Sequence, residues 1–413
     1  MKILRGLDAF RHRDARYLLS GQALSRLGDG AVAVTTVLLI IDRWPGATHL
    51  SLFSAVSSLA LVASLLFGGV VVDRFRRREL LLASDLTRAA MMAGLAALTA
   101  THHLAFWHLL IVAVFFNAFD SVFLPAMTAF LPEILPEDSL NSANAARSMI
   151  SSLCGQMAGP ALGGVLAIWN PAASYALNSL TFVWSGWCIS RIHKSARATH
   201  SSEARRSMLA EIREGISYTV ANKWLLWCLL DAGFINAILF APFGVLVPLF
   251  LRQDLHASKA QVALSFTVSG VGWLLGSLVV GSLRTPRRRL HWITISWLIA
   301  AAVIALIAVV QHVWMVYLIG LSIGPLLAFG NVMWESMMQT VVPKDLLGRV
   351  TSVDMFLSFG LSPIGVALAG VIVTAIGIRS YFLIAFCVGL PFQAALVLSR
   401  TVRNAQTHQL VPQ

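Results

Sequence analysis

Charged residues are scarce in this chain, and their scarcity excludes most soluble folds. Only 12% of the 413 residues are Asp, Glu, Lys or Arg, whereas ordinary globular domains carry about 25%. Hydrophobic residues make up 57% of the chain, and the mean hydropathy is +0.75. A soluble surface cannot be built from this composition, so we expect the chain to lie in a membrane.

Residues for metal binding and covalent chemistry are also few. The sequence shows no phosphate-binding loop, no metal-ligand cluster and no nucleophile–base combination. We therefore expect neither an enzyme nor direct drive by ATP, and no metal or cofactor other than a coupling proton. The cysteines have neither metal-ligand nor disulfide spacing and are interpreted as small packing residues. They are Cys154, Cys188, Cys228 and Cys387.

Long apolar segments fill most of the remaining sequence. A bilayer core of about 30 Å needs roughly 20 apolar residues per helix, and this spacing predicts an all-α polytopic membrane protein with twelve spans. They are expected near 17–43, 48–72, 79–100, 105–131, 141–168, 172–192, 223–251, 260–283, 290–311, 313–337, 346–375 and 378–400. The first span follows a charged arm and is too long for a signal peptide, so we expect it to stay in the protein.

The net charge of +12 is unevenly distributed between the loops. Basic residues gather at 2–16, 74–78, 191–223, 284–289, 344–349 and 400–403. The alternate loops hold little more than Arg43, Arg252, Lys259 and Arg379. This alternation predicts that both termini are cytoplasmic. It favours anionic lipid headgroups, rather than nucleic acid, as the partner of the basic loops.

The two halves of the chain resemble each other. LPEDSLNSANAARSMISSLCGQMAGPALGGVL, from Leu135, aligns with VPKDLLGRVTSVDMFLSFGLSPIGVALAGVI, from Val342, and pairs Gly163 with Gly370. The basic turns at 76–78 and 287–289 correspond as well. A parallel repeat of six spans follows, with bundles at 1–193 and 222–413. The linker 194–221 is expected to contain a short amphipathic helix on the membrane surface, with a disordered charged segment as the alternative.

Two motifs point to transport. GQMAGPALGG places small residues four apart in an apolar segment, which lets helices approach closely, with a proline that stiffens or kinks the contact. Its predicted packing residues are Gly155, Gly159, Pro160, Gly163 and Gly164. GVVVDRFRRR ends an apolar segment with a basic turn. Its predicted gating residues are Gly69, Asp73, Arg74, Arg77 and Arg78.

Both motifs resemble signatures of the major facilitator superfamily. SRLGDG at 25–30, LPAMTAFLPEILPEDSLNSANA from Leu124 and VPKDLLGRVTS from Val342 are similar to its macrolide, multidrug and siderophore exporters. The resemblance implies two pseudo-symmetric six-helix bundles around a central cavity, in a bacterial inner membrane. It departs from the family where Arg76 replaces a glycine and where the fourth span lacks an arginine. Arg147 or Arg26 is a candidate substitute, and sodium coupling stays open.

The resemblance also implies roles for the two motifs. The glycine–proline motif of the fifth helix is expected to pack on the eighth helix and to resist leakage. Asp73 is expected to latch the amino end of the eleventh helix, where the helix dipole is positive. The arginines of the basic turn are expected to anchor the loop to carboxylates or lipid headgroups, with a purely topological role as the alternative.

Acidic residues inside spans mark functional sites by default. Asp29, Asp120, Asp231 and Glu335 lie in the first, fourth, seventh and tenth spans, which line the cavity in the family. A carboxyl group in a low dielectric can bind and release a proton near neutral pH, so Asp29 and then Asp120 are the leading candidates for proton coupling. The alternatives are a structural acid paired at a helix break for Asp29, and solvated helix ends for Asp231 and Glu335.

Further residues complete the predicted site. Arg147 and Asp354 occupy equivalent places in the repeat and are candidates for a gate, unless each pairs within its own bundle. Asp85 and Arg88 are expected to form a local ion pair. Aromatic residues beside the acids, among them Phe116, Phe119 and Trp334, suit bulky cationic or neutral compounds, and the alternative places many of them against lipid or core.

The function predicted from these features is export of amphiphilic small molecules by a proton-driven antiporter, which we expect to be a monomer. A lipid or lysophospholipid transporter of the same fold is the first alternative. A non-transporting membrane sensor is the second. Both alternatives share the predicted architecture and differ in what the cavity binds.

Overall fold

The computed structural model describes residues 11–192, 208–282, 288–343 and 346–399. Within these ranges the chain is helical and has no β-strand, as predicted. The α-helices are α1 (Arg13–Arg43), α2 (Ala47–Arg74), α3 (Arg77–Ala100), α4 (Phe106–Ile134), α5 (Glu137–Ile150), α6 (Gly159–Trp169), α7 (Pro171–Ser190), α8 (Met208–Ala221), α9 (Lys223–Ile235), α10 (Ala241–Gln253), α11 (Lys259–Ser282), α12 (Arg289–Ala305), α13 (Val313–Val341), α14 (Leu347–Phe359), α15 (Ser362–Ile376) and α16 (Ile378–Leu398). Helices satisfy every backbone polar group within the segment, as a bilayer requires.

Eleven of the predicted spans correspond to helical segments that are long and apolar enough to cross a membrane, counted over the described residues. The predicted span 172–192 corresponds to α7, which has 20 residues but is less apolar. Its small polar side chains are buried and bond to neighbouring helices, as when Ser179 donates to the Ala89 carbonyl at 2.8 Å. α7 is therefore a helix whose polar groups face protein partners.

Non-α turns join α-helices within the longer spans. A π-helical segment, Ser151–Ala158, connects α5 to α6, and another, Asn236–Phe240, connects α9 to α10. A short 3₁₀ segment, Leu306–Val309, extends α12. Proline occupies the first turn of α6, α10 and α15, where a missing N–H is tolerated. The two π-helical segments fall within spans, where such breaks bend a helix, whereas the 3₁₀ segment ends its span.

The chain divides into two compact units. Unit 1 comprises Met1–His49, Val56–Ser201 and Ala257–Gly270. Unit 2 comprises Leu50–Ala55, Ser202–His256 and Val271–Gln413. The first half of α11 thus belongs to unit 1 and its second half to unit 2. Within unit 1 an apolar core is built around Phe123, Met127 and Phe130 of α4. Within unit 2 the corresponding core is built around Trp224 and Trp334.

The amphipathic helix expected in the linker is present as α8, so the disordered alternative is wrong for this part of the linker. The rest of the predicted linker, residues 194–207, lies outside the described residues. Gly215 of α8 lies against Arg349 of α14: a Cβ there would be 2.9 Å from the Arg349 carbonyl oxygen. Glu214 also forms an ion pair with the Arg349 side chain. α8 is therefore packed within unit 2, against the start of α14.

Each unit brings two of its helices into close contact at a glycine. A Cβ at Gly163 would lie 2.2 Å from the Ala31 carbonyl oxygen, and one at Gly365 would lie 1.9 Å from the Ala237 carbonyl oxygen. The pairing of Gly163 with Gly370 in the repeat stays a prediction.

Candidate functional site

Asp29 lies in the middle of α1, between two close helix contacts. Asn178 of α7 donates a hydrogen bond to Asp29 Oδ1 at 3.3 Å, and Arg26 Nη1 lies 3.8 Å from Oδ2. A Cβ at Gly28 would be 2.2 Å from Asn178 Oδ1, and one at Gly30 would be 2.4 Å from the Gly155 carbonyl. The flanking glycines let both neighbours approach. α1 is continuous here, so the predicted helix break is absent.

Asp120 forms an ion pair that the sequence analysis did not anticipate. Arg88 Nη1 of α3 lies 3.0 Å from Asp120 Oδ1, while Arg88 Nη2 lies 2.7 Å from Asp85 Oδ1. The predicted pair of Asp85 and Arg88 is confirmed, but Arg88 is also shared with α4. The cation missing from the fourth span is therefore supplied by the third.

Arg88 is the most enclosed cation of this network. Its side chain is 3% exposed, and its guanidinium lies 5.7, 4.6 and 4.4 Å from the ring centroids of Phe116, Phe123 and Phe182. Such contacts stabilise a desolvated cation. Phe116, predicted as a cavity wall, instead packs on Arg88. Phe119 contributes its carbonyl, which accepts a hydrogen bond from Ser84 at 3.1 Å.

The acids of unit 1 form one electrostatic cluster. Asp29 lies within interaction range of both Arg88 and Asp120. The exposed side-chain fractions of Asp29 and Asp120 are 21% and 29%, whereas Asp85 is fully buried. Each of the two acids ranked first from the sequence thus lies beside an arginine of unit 1, and Arg88 also binds the third acid, Asp85.

The three candidate acids of unit 2, Asp231, Glu335 and Asp354, form no ion pair among the described residues. Asp231 is buried, and its Oδ1 atom has no hydrogen-bond partner there. Asp354 accepts hydrogen bonds from Trp334 Nε1 at 2.8 Å and from Ser358 at 2.9 Å. Glu335 is exposed. Trp334 is buried against Trp224, so it is a core residue of unit 2 and not an open wall.

The proposed gate residues find partners within their own units. Arg147 Nη1 lies 3.5 Å from Asn144 Oδ1, one turn away in α5. Asp354 is held by Trp334 and Ser358, as described above. These contacts correspond to the alternative in which each residue pairs inside its own bundle.

The glycine–proline motif contacts two helices. A Cβ at Gly159 would lie 2.7 Å from the Leu27 carbonyl oxygen of α1, and Gly163 meets the same helix one turn later. Gly164 faces α11, where an added Cβ would be 2.0 Å from Ala263 Cβ. Gly155 has only ordinary contacts at 3.8 Å or more. The fifth span therefore packs on the eighth, as expected, and also on the first, which it meets at both Gly159 and Gly163.

The basic turn after α2 is described in part. Arg77 forms an ion pair with Glu133 at the end of α4. Arg78 donates to the Ile189 and Ser190 carbonyls at 3.3 and 2.6 Å, where α7 ends. These arginines bind a carboxylate and a helix C-terminus. The side chains of Gly69, Asp73 and Arg74 lie outside the described residues, so the latch of Asp73 stays a prediction.

An ion pair that no sequence signal indicated joins α1 to α11. Lys259 Nζ lies 2.7 Å from Asp42 Oδ2, at the opposite end of α1 from its basic amino terminus. Both side chains are about one-third exposed or less. The pair ties the first turn of α11 to the last turn of α1 within unit 1.

We expect this pair to contribute modestly to stability. A double-mutant cycle with Asp42→Asn and Lys259→Gln should give a coupling of about 0.2–1 kcal/mol, because the pair is partly solvated. The measurement is the unfolding midpoint of the detergent-purified protein at low salt. Arg76→Gln, which breaks an exposed ion pair with Glu79, is the matched control. A coupling of zero would contradict the described contact.

A bundle of hydrophobic helices with ion-paired acids inside it defines a polytopic membrane transporter. The sequence model of the Major Facilitator Superfamily matches residues 18–353 and, in an overlapping match, 229–412. The chain belongs to this superfamily. It is an integral membrane protein of a transporter family, and neither its relatives nor its structural neighbours described below are enzymes.

Relatives with similar length include efflux proteins. Macrolide efflux protein A of Streptococcus pyogenes is 23% identical over 372 residues, which cover 88% of this chain and 90% of that protein. Multidrug efflux pump Tap of Mycobacterium tuberculosis is 26% identical over 388 residues, covering 89% and 88%. An uncharacterized MFS-type transporter of Bacillus subtilis, YfiS, is 25% identical over 384 residues, covering 90% and 89%.

Solved structures share the fold. The nucleoside transporter NupG has a TM-score of 0.74 at 12% identity, covering 96% of this chain and 100% of that one. A D-xylose-proton symporter has a TM-score of 0.69 at 11% identity, covering 94% and 98%. The match to the sequence model confirms the predicted superfamily. These solved structures confirm the predicted fold, and at such identity they speak to the fold alone.

Proposed function

We propose that this transporter exports amphiphilic, drug-like small molecules in exchange for protons. The observation that carries the proposal is the charge balance of the unit 1 cluster. It contains the carboxylates of Asp29, Asp85 and Asp120 and the guanidinium groups of Arg26 and Arg88. With these five ion-paired groups ionised, one negative charge is left over; Arg147 lines the same pocket as Arg26, but it contacts Asn144 and forms no ion pair with the three acids among the described residues. One proton or one monovalent cationic group neutralises the cluster, and this competition is what an antiporter requires.

Asp29 is the proposed coupling acid, with Asp120 as the second candidate. Both side chains are partly exposed, so a proton or a substrate can reach them, while Asp85 is buried behind Arg88. Arg26 lies farther from Asp29 than Arg88 lies from Asp120. Protonation of Asp29 therefore disrupts less of the network. Protonation of Asp120 would instead break its ion pair with Arg88 and leave Arg88 paired with Asp85 alone.

The remaining features support the same cycle. We propose that the inward- and outward-open states alternate, with the glycine–proline motif keeping α6 sealed on α1 and α11. The basic loops support cytoplasmic termini by the positive-inside rule, and we propose that the membrane is a bacterial inner membrane. Efflux of macrolides and of several drugs by the relatives named above supports an amphiphilic substrate. No cofactor besides the proton is proposed.

We expect Asp29→Asn to abolish proton-coupled export while leaving the fold intact. The amide keeps the shape and the neighbour Asn178 but cannot exchange a proton. The measurement is purified protein in liposomes with an internal pH dye, to which gradients of cationic dyes, macrolides and tetracyclines are applied. Wild-type protein should move protons against the substrate, and Asp29→Asn should not.

Asp14→Asn is the matched control, since Asp14 lies on the same helix near its amino end. Its pH signal should equal that of wild-type protein. A wild-type signal in Asp29→Asn would remove this residue from the mechanism. No proton movement by folded wild-type protein with any compound would favour sodium coupling or a lipid substrate instead.

A further inference from the structure

We propose that unit 2 carries a specific binding site for an anionic phospholipid. The site is a groove of about 380 Å³ between the end of α11, the start of α12 and the middle of α13. Its walls include Leu275, Val279, Trp292, Ile295, Leu326 and Phe329. This proposal does not depend on the exported substrate.

The lining of the groove fits hydrocarbon. The polar side chain among its lining residues is Ser296, whose hydroxyl is already donated to the Leu326 carbonyl. Leu275, Val279 and Trp292 are about half exposed, on helices that cross the membrane. At this depth the bilayer supplies acyl chains and no water. A substrate with polar groups would find no partner here, whereas an acyl chain needs none.

The floor of the groove is formed by a close contact between two helices. A Cβ at Gly276 would lie 2.3 Å from Pro325 Cα. α11 and α13 therefore nearly touch below the groove. Pro325 lies inside α13, and a proline in a helix interior removes one backbone hydrogen bond and bends the helix. The groove is thus a built feature of the backbone and not a chance gap between side chains.

Positive charge lies at one end of the groove. Arg288, which is exposed, and Arg289, which is half-buried, precede Trp292 by about one helical turn. They lie in one of the basic segments predicted to be cytoplasmic, where anionic lipids are enriched. Trp292 lies one turn from them, and tryptophan is enriched where a helix meets the headgroup region.

Arg288 and Arg289 form no ion pair among the described residues, and the first acid after them in the sequence is Glu335 of α13. The segment from Leu255 to Trp334 forms α11, α12 and most of α13, and it contains neither Asp nor Glu. The positive charge is therefore offered to the membrane. A lipid with an acyl chain in the groove and a phosphate beside Arg288 and Arg289 satisfies both ends of the site, which is why we assign the groove to a phospholipid.

The test is lipid binding to the detergent-purified full chain, followed by native mass spectrometry. Phosphatidylglycerol should remain bound as one molecule per chain and be preferred over phosphatidylcholine with the same acyl chains. The double variant Arg288→Gln/Arg289→Gln should lower its affinity by about 30-fold, as expected for two basic residues near a headgroup. Ile295→Trp, which fills the groove, should also abolish retention.

Two matched variants control for charge and for bulk. Arg13→Gln/Arg16→Gln removes two basic residues from the predicted cytoplasmic end of α1, and Leu368→Trp adds the same bulk at an exposed apolar position outside the groove. Both should bind lipid like wild-type protein. An elution volume equal to that of wild-type protein shows that each variant is folded.

Three outcomes would overturn the proposal. The first is equal binding of phosphatidylglycerol and phosphatidylcholine. The second is a loss caused equally by both arginine pairs, which would mean diffuse charge attraction. The third is unchanged lipid binding in Ile295→Trp together with weaker transport of an amphiphile, which would make the groove a substrate entry. If Ile295→Trp does not fold, Leu326→Trp serves as the second test of the groove.

Discussion

Replacing Arg88 with Gln should cause the largest loss of stability and of transport among the substitutions of single charged residues. The change leaves Asp85 fully buried without its cation and leaves Asp120 without its closest partner. Breaking a buried ion pair from one side costs about 3–5 kcal/mol, and the contacts with three aromatic rings are lost as well. The measurements are the unfolding midpoint in detergent and substrate-driven proton flux in liposomes.

Companion variants separate charge from packing in this prediction. Arg88→Lys keeps the charge but loses the planar fork that reaches two carboxylates, so it should be intermediate. Arg88→Gln combined with Asp85→Asn should be more stable than Arg88→Gln alone, because no isolated charge stays buried. Arg76→Gln, at an exposed pair, should change little. An Arg88→Gln protein with the midpoint and proton flux of wild type would refute the shared ion pair.

Gly163→Ala should abolish transport although it adds a single methyl group. The added Cβ would lie 2.2 Å from the Ala31 carbonyl oxygen and 2.7 Å from Ala31 Cα. These are backbone atoms, which cannot rotate away, so α6 and α1 must separate. Overpacking of this kind costs about 1–3 kcal/mol or more. We expect a lower unfolding midpoint and no substrate-driven proton flux in liposomes.

The same motif offers its own control and a rescue. Gly155→Ala has ordinary contacts at 3.8 Å and should behave like wild-type protein. Gly164→Ala should fail because its Cβ meets Ala263 Cβ at 2.0 Å, and Ala263→Gly should restore it. Ala263→Gly should not restore Gly163→Ala, whose conflict is with α1. Equal activity of Gly155→Ala and Gly163→Ala would contradict this account of the motif.

Much of the architecture could be predicted from sequence because long apolar segments and basic loops report directly on membrane physics. α7 shows where hydropathy is a weak predictor of a span, since the hydrogen bonds of its polar residues are made by protein groups and not by water. The repeat was predicted from the residues that match after Pro136 and Pro343. The π-helical segments Ser151–Ala158 and Asn236–Phe240 were not predicted, because no local pattern in the sequence signals a change from α-helical to π-helical hydrogen bonding.

The site was predictable only in part. Asp29 and Asp120 stand out because acids are rare in spans. Their partners could not be predicted, because they depend on which helices face each other within the bundle. Arg88 was interpreted as the local partner of Asp85, since three-residue spacing is visible in sequence and the contact with Asp120 is not. Phe123 and Phe182 around Arg88 were the missed signal. Trp334 shows the reverse error, since an aromatic residue beside an acid turned out to belong to the core.

The polar face of α7 has a consequence for how the protein is made. A helix carrying several hydroxyl and amide groups partitions weakly into lipid when it is alone, because each unpaired group is costly there. α7 contacts α1 and α3 extensively within unit 1, and both precede it in the chain. Its entry into the bilayer therefore depends on helices synthesised earlier, and membrane insertion of this half is a cooperative step of biogenesis.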